Sequence, residues 1–128
     1  MAVPESALLA DDEPHLRAYV RLILKKIGIS KVIEASSGAE AVELYREQMP
    51  DVVFLDINMP DMTGLEALPK ILEIDPDAIA IMLTGHASRS LVETSAKAGA
   101  VQYIRKDTPK EEIERMLVEL FNEIFEEE

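Results

Sequence analysis

Two hydrophobic periods alternate along the chain. Short apolar runs of strand length recur at Ala7–Ala10, Val52–Leu55, Ile79–Leu83 and Val101–Ile104, and Lys31–Ala35 reads as the second strand of five. Between them apolar residues recur every three to four positions, the spacing of an amphipathic helix. The first such stretch predicts a helix from Pro14 to about Ile27, with Leu16, Val20, Ile23, Leu24 and Ile27 on one face. Pro14 suits its first turn, Lys25 and Lys26 its last, and Gly28 its end. Ser37-Gly38-Ala39-Glu40 has capping-box spacing and opens a second helix, with Ala41, Leu44 and Tyr45 inward, that ends before Pro50. A polar loop from Ile57 to Gly64 leads to a third helix carrying Leu65, Leu68, Ile71 and Leu72. Pro69 inside it removes a backbone donor and predicts a bend or a late start. Asp75-Pro76-Asp77 is a turn.

The stretch from about Ser88 to Ala98 predicts a helix with the weakest apolar stripe of the set, closed by Gly99. Thr108-Pro109-Lys110-Glu111 supplies an N-cap, a first-turn proline and an acidic third position. Behind it Ile113, Met116, Leu117, Leu120, Phe121 and Ile124 make the cleanest stripe in the protein. Glu126-Glu127-Glu128 opposes the dipole at the end of that helix and predicts fraying. Strand and helix thus alternate five times, which predicts an α/β fold with a doubly wound parallel sheet and helices on both faces. The near-continuous apolar third and fourth strands suit central positions, buried from both sides. No internal repeat or linker breaks the 128 residues, so a single domain over 1–128, with its core at about 6–125, is expected.

Charge narrows the partners. The formal net charge is −12, the reverse of the Lys/Arg excess that nucleic-acid or anionic-membrane binding requires. No direct nucleic-acid or membrane partner is expected. The chain has no cysteine, which removes disulfides and thiolate zinc sites. The first residues lack the pattern of a signal peptide, and no apolar run reaches bilayer-spanning length, so a cytoplasmic location is expected. The scattered methionines read as fillers of core gaps.

Chemistry gathers at the ends of the strands. Asp11-Asp12, Asp56, Thr84 and Lys106 each lie at or just past the end of an apolar run. In a parallel sheet those ends share one edge, where open α/β folds bind ligands. Three carboxylates in one crevice raise each other's proton affinity, and Mg²⁺, a hard cation that prefers oxygen, relieves this. A carboxylate can also attack phosphorus, and metal and ammonium groups then stabilise the charge on the phosphoryl oxygens. Lys106 suits one such oxygen and the Thr84 hydroxyl another. Taken alone, Asp11-Asp12 reads equally as a capping turn and Thr84 as a β-branched strand residue.

From about Ala7 to Phe125 the chain resembles the receiver domain of a two-component response regulator. The resemblance is carried by Leu8-Leu9-Ala10-Asp11-Asp12, by Pro50-Asp51-Val52-Val53-Phe54-Leu55-Asp56 continuing through Ile57-Asn58-Met59-Pro60-Asp61-Met62-Thr63-Gly64, by Ile81-Met82-Leu83-Thr84-Gly85, and by Lys97-Ala98-Gly99-Ala100 leading to Tyr103 and Lys106. It implies a flavodoxin-like sheet of order 2-1-3-4-5 with five helices. It implies Asp56 as phospho-acceptor, Asp12 as a direct Mg²⁺ ligand and Asp11 as its neighbour. It further implies the backbone carbonyl of Asn58 as a ligand, Thr84 as the switch hydroxyl, Lys106 as the phosphate-pairing lysine and Tyr103 as the aromatic switch. The implied partners are a sensor histidine kinase or histidine phosphotransfer protein, and a downstream effector or fused output domain. The implied function is phosphorelay signalling, with self-phosphorylation and self-dephosphorylation but no turnover of other substrates. The switching face would be the fourth helix, fifth strand and fifth helix.

Two other readings compete. An aspartyl-phosphate phosphohydrolase resembles this pattern but places an acid where Asn58 stands, and a phosphorylation-independent pseudo-receiver would not require the full set of chemical residues. One departure from the receiver pattern stands out: Asp107, not proline, follows Lys106. Asp107 is expected to add negative charge near the site and to weaken the link from phosphate to Tyr103. His86 is a candidate for the mouth of the site, and His15 reads as a surface residue.

Overall fold

A computed structural model describes residues 3–85 and 88–125. Five strands, β1 (Ser6–Ala10), β2 (Lys31–Ala35), β3 (Val52–Asp56), β4 (Ala80–Thr84) and β5 (Gln102–Arg105), alternate with five helices. The helices are α1 (Pro14–Lys26), α2 (Gly38–Gln48), α3 (Gly64–Ile74), α4 (Arg89–Ala98) and α5 (Lys110–Phe125). All paired strands are parallel, in the order β2-β1-β3-β4-β5. Among the described residues no helix is long and apolar enough to cross a membrane.

Side chains of a strand point alternately to the two faces, and each face has its own core. Leu8, Val53, Leu55 and Met82 pack with Tyr45 of α2 and Leu68 and Ile71 of α3. Leu9, Phe54, Ile81 and Leu83 pack with Ile23 and Leu24 of α1 and Leu117 and Phe121 of α5. β3 and β4 are buried along their whole length because helices cover them on both sides. The edge strands β2 and β5 are mostly half-buried or exposed.

Several elements differ in detail from the sequence reading. β4 and β5 lie one residue later than the apolar runs, because Thr84 and Arg105 still pair across the ladder. The Ser37 hydroxyl caps Glu40, as its spacing predicts, but the Glu40 carboxylate turns back to Ser36 N–H, so the box is only half formed. The complete capping box is at Thr63 and Glu66, and it starts α3 at Gly64 with no delay from Pro69. α5 begins at Lys110, one position later than expected, with the Pro109 carbonyl accepting from Ile113 N–H. Ile124 and Met49 are exposed, and Leu16 and Leu44 are only partly buried, whereas Val42 joins the core.

Other expectations are met. Gly28 and Gly99 follow the ends of α1 and α4 with positive φ. α4 buries only Ser95, in keeping with its weak stripe. The acidic residues 126–128 and His86 lie outside the described residues.

Candidate functional site

The parallel order brings the C-terminal ends of β1, β3, β4 and β5 to one edge, and the polar residues that follow each strand meet there. Asp11 follows β1. Its backbone N–H donates to the Ala35 carbonyl at 3.0 Å, and its carbonyl accepts from the Arg17 guanidinium. Its Oδ1 accepts from Glu13 N–H at 2.9 Å, which turns the chain into α1. Asp56 ends β3, and its Oδ1 accepts from Asn58 N–H at 3.1 Å. Gly64 packs behind Asp56: a Cβ there would lie 2.4 Å from the Asp56 carbonyl oxygen. Thr84 ends β4, fully buried, and its carbonyl accepts from Lys106 N–H at 2.7 Å.

Lys106 ties the edge together. Its Nζ is 2.9 Å from Asp11 Oδ2 and 3.0 Å from Asp56 Oδ2. Both separations are charge-assisted contacts to buried carboxylates, and a longer one reaches Glu13 Oε1 at 3.3 Å. Asp11 Oδ2 and Asp56 Oδ2 are buried and share this one ammonium.

The electrostatics follow from burial with too little positive charge. The Asp56 carboxyl is pushed up to about 6 from a usual 3.8. Burial lifts it, the Lys106 ammonium holds it back, and the Asp11 charge lifts it again. Burial disfavours the Lys106 charge, but Asp11 and Asp56 outweigh it and raise its proton affinity. One ammonium thus serves two buried acids and a third, partly exposed one.

Oxygens of Asp11, Asp12, Glu13 and Asp56 lie within 4.8 Å of one another. Two of the four residues are buried and two exposed, so the group is reachable from solvent. An oxygen-only donor set, with two of its carboxylates buried, fits a hard divalent cation such as Mg²⁺. Nitrogen and sulfur donors for a softer metal are absent from this group.

Of the residues singled out in the sequence, Asp11, Asp12, Asp56 and Lys106 come together, with Thr84 on the neighbouring strand end. Asn58 is in the loop directly after Asp56, with its side chain exposed. Tyr103 is not at the cluster. It packs half-buried against the α2–α3 core and lines a cavity of about 140 Å³ between α4 and β5 with Val92 and Ser95. His15 is on the surface. Asp107 is exposed and pairs with Arg105 at 2.7 Å, and it is not one of the carboxylates that cluster with Asp56. The Lys106–Asp107 peptide is trans. Glu13 was missed by sequence reasoning, although it continues the acidic run Asp11-Asp12, because its contact with Lys106 spans 93 residues.

Comparison with known proteins gives one consistent answer. The family model described as the response regulator receiver domain matches residues 7–118. Chemotaxis protein CheY of Bacillus subtilis is 42% identical over 99 residues, 77% of this chain and 82% of that protein. CheY of Thermotoga maritima is 39% identical over the same shares. Response regulator UvrY of Escherichia coli is 41% identical over 109 residues, 84% of this chain but 50% of UvrY. A CheY in a CheX–CheY–BeF₃–Mg²⁺ complex from Borrelia burgdorferi superposes with a TM-score of 0.87 at 29% identity, covering 93% of this chain and 90% of that one.

Proposed function

Since the chain belongs to the response regulator receiver domain family, we propose that it is a signalling module switched by phosphorylation of Asp56 with Mg²⁺. The observation that carries this reading is the pair of buried Asp11 and Asp56 carboxylates that share the single Lys106 ammonium, at 2.9 and 3.0 Å. Such an arrangement is unfavourable on its own and becomes favourable when a cation and a phosphoryl group enter.

Asp11, Asp12, Asp56 and the Asn58 carbonyl would hold the Mg²⁺. The ion supplies neutralising charge for the attacking carboxylate and for the phosphoryl oxygens. An ionised Asp56 oxygen attacks the phosphorus of a phosphohistidine on a sensor kinase or phosphotransfer protein. The new oxygen–phosphorus bond forms as the phosphorus–nitrogen bond breaks and the imidazole leaves. Lys106 turns from its carboxylates to a phosphoryl oxygen, and the Thr84 hydroxyl donates to another. Because Lys106 and Thr84 sit at the ends of β5 and β4, these contacts draw on the loops leading to α5 and α4. Tyr103, beside the α4–β5 cavity, would register that movement on the α4–β5–α5 face. A downstream effector or a fused output domain reads that face. Water later hydrolyses the acyl phosphate and resets the module.

The test uses acetyl phosphate and Mg²⁺, with phosphoryl addition read by intact mass. Wild type gains one phosphoryl group, Asp56→Asn gains none, and EDTA suppresses the gain. Equal labelling of Asp56→Asn would remove Asp56 from its role.

A further inference from the structure

The loop between β3 and α3, which carries Asn58, is tied down along its length. At its start Asn58 N–H donates to Asp56 Oδ1. At its end Gly64 N–H donates to the Ile57 carbonyl at 3.0 Å. Between these ties the Asp61 carboxylate crosses to another helix. Gly38 N–H donates to Asp61 Oδ1 at 3.1 Å, and Ala39 N–H to Asp61 Oδ2 at 3.0 Å. Those N–H groups belong to the first turn of α2, where the helix offers them no partner of its own. The Ser37 hydroxyl takes a third at Glu40. A carboxylate bound twice to a helix start is favoured both by the hydrogen bonds and by the helix dipole.

The fit is close. A Cβ on Gly38 would lie 2.4 Å from the Met62 carbonyl oxygen, so the loop backbone lies directly on the helix. Asp61 is not among the four carboxylates that cluster. It has no part in the chemistry proposed above.

We propose that Asp61 is a positioning residue for the metal site: by clamping the loop onto α2 it sets the place of the Asn58 carbonyl and so the affinity for Mg²⁺. The proposal rests on the reading of Asn58 and Asp56 given above. Its physical basis is pre-organisation. A loop free to wander presents its carbonyl correctly only part of the time, and apparent affinity falls by that fraction. The tie from Asn58 N–H to Asp56 orients only one side of the residue. The clamp restrains the chain beyond it.

The experiment titrates Mg²⁺ into the full chain by calorimetry and follows thermal unfolding in parallel. Three variants are compared with wild type: Asp61→Ala, Asp61→Asn, which keeps one acceptor oxygen, and Ser37→Ala, which weakens the same helix start without touching the loop. Asp61→Ala is expected to weaken Mg²⁺ binding roughly tenfold, the lower end of what partners of metal ligands carry. Asp61→Asn should fall between it and wild type. Ser37→Ala should lower the unfolding temperature but leave Mg²⁺ affinity unchanged. Phosphorylation of Asp61→Ala by acetyl phosphate should be slow at limiting Mg²⁺ and recover at saturating Mg²⁺. Unchanged Mg²⁺ affinity in Asp61→Ala overturns the proposal, as does an equal loss in Ser37→Ala, which would reduce Asp61 to a helix cap. If wild type binds no Mg²⁺, the metal reading itself fails and this proposal falls with it, a different and separable result.

Discussion

Asp56→Asn should make the metal-free protein more stable, by an amount that depends on pH. The folded chain holds the Asp56 carboxyl at about 6, against 3.8 for an ordinary aspartate. A raised carboxyl means that the folded state binds the proton more tightly than the unfolded state. Stability is then fully retained below the unfolded value, falls as pH rises from about 4 to 6, and stays at the reduced level above that. Asparagine mimics the protonated side chain in size and charge, so it escapes the loss. The shift of about two units corresponds to about 3 kcal/mol at pH 8, where both states are ionised. At pH 5 the folded carboxyl is mostly protonated while the unfolded one is mostly ionised, and integration gives only about half as much. Urea unfolding of wild type and variant in EDTA at pH 8 and pH 5 measures both gains. Added Mg²⁺ should restore wild type at pH 8 and leave the variant little changed, because ligand binding stabilises only the state that binds it. A variant no more stable than wild type at pH 8, or a gain that does not shrink at pH 5, would refute the claim that burial holds Asp56 in a strained charge state.

Two further substitutions probe the frame of the site. Lys106→Met leaves the Asp11 and Asp56 oxygens facing each other without a cation, and should cost about 3 kcal/mol in EDTA, measured by urea unfolding, with a larger response to Mg²⁺ than wild type shows. Gly64→Ala forces a methyl to within 2.4 Å of the Asp56 carbonyl oxygen; it should destabilise by about 1–3 kcal/mol and slow phosphoryl transfer from acetyl phosphate even at saturating Mg²⁺.

Much of this protein is written in local patterns. The period of apolar residues in β3, β4 and α5 specifies element type because helix and strand differ in which neighbours share a face. Alternation of the two types implies a parallel sheet, and a parallel sheet places the residues after each strand on one edge. That chain of reasoning reaches Asp11, Asp12, Asp56, Thr84 and Lys106 without coordinates, while the strand order came from family resemblance. What the tertiary structure decided are relations between distant residues. Asp11 and Asp12 are neighbours in sequence, yet one is buried against Lys106 and the other is exposed to solvent. Glu13 joins Lys106 across a separation of 93 residues, a meeting that depends on how β1 and β5 are carried to the same edge. Asp107, adjacent to Lys106 in sequence, turns to Arg105. Asp61 looked like one polar residue in a loop and proves to clamp that loop to α2. Periodicity tells which face a side chain joins. Only the packed sheet, with its crossovers closed, determines which charges share a space too small for all of them to be satisfied, and in this protein that shortage of positive charge is the basis of the proposed site.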